Sequence, residues 1–149
     1  MSLFRKSHLQ VIKDTGVYLS VNNKVSRPQD IINMVSALFP EINYGVEERF
    51  IVLFLDTKNT YLNGEVVSIG SLNASIVHPR EVFKRALLYN SASIVCVHNH
   101  PSGVTTPSKE DDSITQRLDE AGRLLGIPVI DHIIVGDNNY YSFKEDNKL

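Results

Sequence analysis

The chain has 149 residues, of which 42% are hydrophobic and 21% are charged, and its formal net charge is −2. This length is enough for one well-buried core and too short for two comfortable domains, so we predict a single domain. The slightly acidic balance lacks the positive charge that binding to a phosphate backbone requires. No apolar stretch approaches the roughly 20 residues of a membrane helix, and the first ten residues hold scattered charges without an apolar core, so we expect a cytoplasmic protein.

Strand and helix patterns alternate along the first half of the chain. Proline favours the first position of a helix, and apolar residues at helical spacing then define the side that faces the core. The predicted elements are a strand at Val17–Val21, a helix that begins at Ser26 and Pro28 and ends at Pro40, strands at Phe50–Leu55 and Glu65–Ile69, and a helix that begins at Pro79. The inward residues are predicted to be Ile31, Ile32, Val35 and Leu38 in the first helix and Val82, Phe83, Ala86 and Leu87 in the second. The two strands are separated by turn-forming residues, which favours an antiparallel pair.

Strand and helix patterns also alternate along the second half of the chain. Predicted here are a buried strand at Ser93–Val97, a loop at Pro101–Pro107, a helix with Ile114, Leu118, Ala121 and Leu125 inward that stops near Gly126 and Pro128, and strands at Val129–Val135 and Tyr140–Phe143. Cys96 lies within an apolar run, where a thiol behaves as a small core residue rather than as a nucleophile. The polar residues Lys144–Leu149 are expected to form a loose tail.

Two imidazoles and a carboxylate follow the buried strand within fourteen residues. His98 and His100 project to the same side if the strand continues past Val97, because side chains alternate across a strand. The following loop is long enough to return the chain, so that Asp111 in the first turn of the next helix can supply a third ligand. Three protein ligands leave one tetrahedral position open for water, which is typical of catalytic zinc. The ligand set favours zinc, although iron, manganese or nickel also suits it.

Each of these residues also has a structural interpretation. A histidine at the end of a strand is commonly a hydrogen-bonded rim residue, and Ser108 with Asp111 has the spacing of a capping box at a helix start. Both interpretations of Asp111 can hold at once. A neutral metal-binding histidine usually needs its second ring nitrogen held by a carboxylate or a carbonyl, for which Asp112 and Asp131 are candidates that the sequence does not decide between.

Three further polar residues have candidate roles. His78 and His132 are interpreted as structural residues, although His78 is also a candidate for lining a cleft. Asn99 is expected to point away from the two ligands and to orient a loop or a substrate backbone.

The spacing His-x-His, seven residues, Ser, two residues, Asp resembles the JAMM motif of JAB/MPN+ metalloproteases. The run His-Asn-His-Pro-Ser-Gly at 98–103 is similar to the RadC-like branch of that superfamily. Segments 48–56, 75–81 and 125–136 are similar to RadC-like sequences as well, so that the resemblance covers Arg27 to Phe143. It divides the chain into an extension at 1–26, a RadC-like JAB/MPN+ domain at 27–143 and a tail at 144–149.

The resemblance implies a mixed, largely antiparallel sheet flanked by helices in the three-layer arrangement of JAB/MPN and cytidine-deaminase-like proteins. It also implies zinc bound by His98, His100 and Asp111, with an upstream glutamate as general acid and base. Glu48 matches that position, and Glu47 is the alternative because a one-residue shift would turn the side chain to the other face. Ser108 would donate a hydrogen bond to the oxyanion of the reaction.

The leading hypothesis is a zinc-dependent hydrolase of peptide or isopeptide bonds whose substrate is a protein or peptide. A second hypothesis follows from RadC proteins having been described as DNA repair factors and from some being carried on mobile elements; the acidic charge argues against direct nucleic-acid binding. The third is a non-catalytic scaffold. The residues predict no membrane partner and do not indicate an oligomeric state.

Overall fold

The computed structural model describes residues 18–70 and 77–149, together with positions 3, 5, 10, 11 and 16. Its elements, in chain order, are α1 (Pro28–Leu38), a 3₁₀ helix (Pro40–Asn43), β1 (Arg49–Leu55), β2 (Tyr61–Ile69), α2 (Pro79–Leu88), β3 (Ser93–Asn99), α3 (Lys109–Leu125), β4 (Val129–Val135) and β5 (Tyr140–Ser142). The five strands form one sheet in the order β2-β1-β3-β4-β5. Only β3 and β4 pair in parallel, and the other neighbours are antiparallel. The predicted mixed α/β class is confirmed.

Helices cover both faces of the sheet, because β1 and β3 carry apolar side chains on both sides. One core cluster packs alternate residues of β1, β3 and β4, such as Ile51, Val97 and Ile133, against α1. The other packs the intervening residues of β1 and β3, including Phe50 and Cys96, against α2 and α3. Cys96 is fully buried, and this burial raises the pKa of its thiol, as expected for a core residue. The result is a three-layer domain with β3 in the centre of the sheet.

Local interactions define where the helices begin and end. Pro28 occupies the first turn of α1, and Asp30 Oδ2 accepts the backbone N–H groups of Ser26 and Arg27 at 3.1 and 3.0 Å. α3 ends at Gly126, whose φ of 71° is the left-handed conformation that glycine adopts most readily. Within the described residues, no helix combines the length and apolar character needed to cross a membrane.

Several predicted details differ from the structure. Residues 18–21 of the strand predicted at Val17–Val21 have no strand conformation, and Val17 lies outside the described residues. Leu87 and Leu125, predicted to face inward, are 57% and 46% exposed. The expected loose tail folds back, since the Lys148 N–H donates to the Phe143 carbonyl at 2.8 Å and Leu149 packs on the core cluster beneath α2 and α3.

Candidate metal site

The predicted ligands converge where β3 ends and α3 begins. His98 is fully buried in β3, and His100 follows two residues later on the same side of the chain. Their Nε2 atoms are 3.0 Å apart. Asp111 in the first turn of α3 places Oδ1 3.2 Å from Nε2 of His98 and Oδ2 3.3 Å from Nε2 of His100. The three side chains form a group whose ligand atoms all lie within 4.8 Å of one another.

These separations suit a small divalent cation. Ligand atoms placed tetrahedrally at about 2.0–2.1 Å from a metal lie about 3.3 Å from each other. The two imidazole nitrogens, 3.0 Å apart, are close to that value, and each lies 3.2 or 3.3 Å from a different oxygen of Asp111. With one ligand atom taken from each residue, all three atoms lie within 4.8 Å of one another. Two imidazoles and one carboxylate also match the donor preference of transition metals. The residues therefore fit a metal site.

The carboxylate sets the electrostatics of the site. Burial alone would raise the pKa of Asp111, but hydrogen bonds and attraction from His100 and His98 outweigh burial and hold this pKa well below its usual range. The hydrogen bond that His100 donates to Asp111 is in turn the main cause of the raised pKa of His100. Asp111 is therefore ionised and supplies a negative charge at the place where the two imidazoles converge, which favours cation binding.

Both histidines have a partner for their second ring nitrogen, and neither partner is one of the candidate carboxylates Asp112 and Asp131. His98 Nδ1 lies 2.8 Å from Nε2 of His132, and His100 Nδ1 donates to the carbonyl oxygen of Val104 at 2.7 Å. Asp112 and Asp131 form other contacts. Asp112 pairs with Lys148 at 3.0 Å. Asp131 accepts the Ser142 hydroxyl at 2.6 Å and the backbone N–H groups of His132 and Lys144.

His132 is the residue of this region whose contact with the ligands was not predicted. It is fully buried in β4, beside β3 and on the same face as His98. The sequence carries a signal for it, because Asp131 and His132 are the only two polar side chains in the apolar strand Val129–Val135. A polar side chain within a fully buried strand requires a polar partner.

Glu48 lies beside the ligands at the start of β1. The antiparallel register pairs Phe50 with His98, and extending it by two residues sets Glu48 opposite His100. Consistent with this placement, the charge of Glu48 contributes to the raised pKa of His100. Glu48 is half-buried, whereas Glu47 is exposed and, by strand alternation, belongs to the other face. The geometry therefore favours Glu48 over Glu47 as the glutamate of the site.

Asn99 connects the ligand strand to this glutamate. Its side chain points away from the ligands, as predicted, and is buried. Asn99 Oδ1 accepts the Arg49 N–H at 2.7 Å, and Nδ2 donates to the Glu47 carbonyl at 3.1 Å. These two hydrogen bonds hold the backbone on either side of Glu48.

Ser108 has the capping role that the spacing indicates. Its Oγ accepts the Asp111 N–H at 3.1 Å, and its own N–H donates to Asp111 Oδ2 at 2.7 Å. The same carboxylate therefore caps the helix and faces the histidines, so the capping interpretation of Asp111 is confirmed and is compatible with a role as a metal ligand. His78 precedes the first turn of α2 and is outside the three-residue group.

A cleft of about 250 Å³ opens beside His100. It is bounded by the segment before β1, which includes Tyr44 and Val46, and by the end of β4 with Asp137. Tyr44 and Val46 are 72% and 90% exposed, so an apolar surface borders the cleft. Of the predicted ligands, His100 is the one that lines this cleft.

The fold and the site together define a three-layer α/β domain with a metal-binding group at the end of its central strand. The family model of the RadC-like JAB domain matches residues 25–149. The chain therefore belongs to the RadC-like JAB domain family.

Similar proteins come from archaea and bacteria. A UPF0758 protein of Methanosarcina mazei is 55% identical over 123 residues, which are 83% of this chain and 52% of that protein. A UPF0758 protein of Bacillus licheniformis is 46% identical over 149 residues, which are 100% of this chain and 62% of the relative. A UPF0758 protein of Caldanaerobacter subterraneus subsp. tengcongensis is 52% identical over 124 residues, which are 83% and 52% of the two chains. The chain thus spans about half the length of the curated relatives it matches.

Proposed function

We propose that this domain is a zinc-dependent hydrolase of amide bonds in proteins or peptides. The observation that carries the proposal is the convergence of His98, His100 and Asp111, whose ligand atoms all lie within 4.8 Å of one another. Three ligands leave a coordination position for water, which distinguishes catalytic from structural zinc sites. Membership of the RadC-like JAB family supports the same chemistry.

The residues around the ligands suit a hydrolysis. Zinc bound there would supply Lewis acidity and lower the pKa of water toward about 7. Glu48 accepts the proton of the water that attacks the substrate carbonyl carbon, and then delivers it to the leaving amine. Ser108 uses its oxygen to cap α3, which leaves the hydroxyl hydrogen available for the developing oxyanion. The cleft beside His100 is proposed to hold the substrate on the side of Tyr44 and Val46.

The test is a pair of adjacent substitutions. We expect Glu48→Gln to retain zinc and to lose cleavage by about 10²- to 10⁴-fold, because the amide cannot accept the proton. Glu47→Gln removes the same charge one residue away on the other face, and we expect it to cleave at the normal rate. Cleavage is measured on a peptide library, and bound zinc by elemental analysis. Equal cleavage by Glu48→Gln and the unsubstituted protein would contradict the assignment of the base.

Metal removal separates this proposal from the scaffold hypothesis. Chelation is expected to abolish cleavage, and stoichiometric zinc to restore it. A protein that neither binds zinc nor cleaves any library member would support the scaffold. Retardation of DNA in a gel, weakening as salt is raised, would instead support the nucleic-acid hypothesis.

A further inference from the structure

A continuous chain of hydrogen bonds runs from the backbone of one ligand to the ring of another. Thr115 Oγ1 donates to the Asp111 carbonyl oxygen at 2.7 Å and lies 2.6 Å from Nδ1 of His132. His132 Nε2 then lies 2.8 Å from Nδ1 of His98. We call these three hydrogen bonds the Asp111–His98 relay. It joins α3, β4 and β3 through Thr115 and His132, to which the metal chemistry described above assigns no role.

The direction of every hydrogen bond in the relay follows from the bond between Thr115 and the Asp111 carbonyl. A carbonyl oxygen can only accept, so the single hydroxyl hydrogen of Thr115 is used on Asp111. Thr115 Oγ1 must then accept from His132, which places the His132 proton on Nδ1. The Nε2 atom of a neutral His132 can only accept, and so the proton of His98 lies on Nδ1. The lone pair of His98 is consequently on Nε2, which faces His100 and Asp111.

The surroundings keep the His132 ring neutral and fixed. His132 is fully buried and its ring nitrogens contact Thr115 and His98 rather than a carboxylate, so the loss of hydration disfavours the charged ring. Its ring stacks on Phe143 with centroids 4.8 Å apart and planes inclined by 7°, and contacts Phe50 edge to face at 5.4 Å. A ring packed in this way cannot turn to exchange its two nitrogens without disturbing the core.

We propose that Thr115 and His132 are positioning residues that direct the His98 proton to Nδ1 and thereby present its Nε2 lone pair to the metal. This inference rests on the proposed metal site. His100 directs its own proton to the Val104 carbonyl, so both Nε2 atoms offer lone pairs to the same point.

Removing the Thr115 hydroxyl allows the relay to reverse. His132 would then carry its proton on Nε2 and donate to His98, whose proton would move to its own Nε2. In that tautomer His98 donates to His100 or Asp111 at the existing separations, so the metal-free site is satisfied without a cation. The reversed form must lose this hydrogen bond before a metal can bind.

The first experiment reads the proton position directly, in metal-free protein of unsubstituted sequence. The ¹⁵N chemical shifts of the imidazole nitrogens distinguish the two neutral tautomers. We expect His98 to carry its proton on Nδ1, and His132 likewise. A proton on Nε2 of His98 would overturn the proposal. This measurement requires neither activity nor zinc, so it decides the relay even if the proposed hydrolase function is wrong.

The second experiment measures zinc affinity by competition with a chromophoric chelator. Thr115→Val has nearly the same shape without the hydroxyl, and we expect it to bind zinc about 10- to 100-fold more weakly. Thr115→Ser restores the hydroxyl and is expected to restore the affinity. Thr57→Val makes the same replacement at an exposed turn and should leave the affinity unchanged.

The variants also separate the relay from a merely structural role. The His98 proton should move to Nε2 in Thr115→Val and stay on Nδ1 in Thr115→Ser. Zinc binding by Thr115→Val at the normal affinity would refute the proposal. If the valine variant does not fold by circular dichroism, the tautomer in the unsubstituted protein and the affinity of Thr115→Ser still decide the matter. If neither the unsubstituted protein nor any variant binds zinc while His98 carries its proton on Nδ1, the metal function is refuted. The proposed direction of the hydrogen bonds in the relay would still stand.

Discussion

Gly136 is the residue whose enlargement should damage the site without touching a ligand. It follows β4, and a Cβ built on it would lie 2.4 Å from the carbonyl oxygen of Gly103 and 2.7 Å from Cγ2 of Thr105. Real Cβ contacts are essentially never under 3.0 Å, so the Gly136→Ala variant must displace the 103–105 loop by about 0.6 Å. The central residue of that loop, Val104, supplies the carbonyl that holds His100.

The expected magnitude follows from this displacement. A shift of about 0.6 Å in the Val104 carbonyl would lengthen its hydrogen bond to His100 beyond about 3.2 Å, the usual upper limit for such bonds. Forcing a methyl group into a packed region costs about 1–3 kcal/mol of unfolding free energy. Loss of a partner that orients a metal ligand typically weakens metal binding about 10- to 100-fold. Gly136→Ala should therefore lose both stability and zinc affinity.

The assay pairs urea unfolding of the metal-free protein with a zinc titration. Gly126→Ala is the control, because it places a side chain in left-handed backbone, at a cost of about 1–2 kcal/mol, with no heavy atom within 4 Å of the new Cβ. We expect the control to lose stability alone. If Gly136→Ala unfolds at lower urea yet binds zinc normally, the proposed coupling of the loop to His100 is wrong.

Two further predictions concern residues that support the site from the other face of the sheet. Asn99→Ala should lose about 1–3 kcal/mol of unfolding free energy and reduce cleavage while keeping zinc affinity, because it releases the backbone around Glu48; unchanged cleavage at full zinc occupancy would contradict this. For Asp131, burial outweighs the hydrogen bonds from Ser142, Lys144 and His132, and its pKa is raised above 3.8. The stabilisation by this carboxyl is complete below its unfolded pKa and is lost as pH rises through the raised folded pKa. In urea unfolding, Asp131→Asn should therefore gain stability relative to the unsubstituted protein over the interval that begins near pH 4 and extends upward through the folded pKa. A gap that stays constant across that interval would show that the carboxyl does not titrate as described.

The fold was predictable where one physical rule dominates. The continuous apolar runs that form β1 and β3 can bury both of their faces only between two layers of helices. Strand alternation then puts His98 and His100 on one side. Capping chemistry likewise located Ser108 and Asp111 at the start of α3. These features depend on neighbours in the sequence.

Features that depend on contacts between distant segments were not predictable in the same way. Leu87 lies about 100° around the helix from the buried Ala86, and only the position of the sheet decides which of the two is covered. The partners of the histidines required the pairing of β3 with β4 and the return of the 101–107 loop, neither of which is encoded near position 98. The sequence suggested a carboxylate or a carbonyl as partner without deciding which, and the fold supplies a buried imidazole for His98 and a backbone carbonyl for His100.

The central place of β3 has a consequence for hydrogen exchange. Every residue of this strand is buried and both of its edges are paired, so its amides can open only when the whole domain unfolds. Glu48 directly precedes β1, whose amides are also paired on both edges and protected from exchange. The 101–107 loop, in contrast, reaches solvent and can open alone. Local opening of the 101–107 loop should thus separate His100 from Asp111 while His98 stays in place. A cation can then exchange without global unfolding.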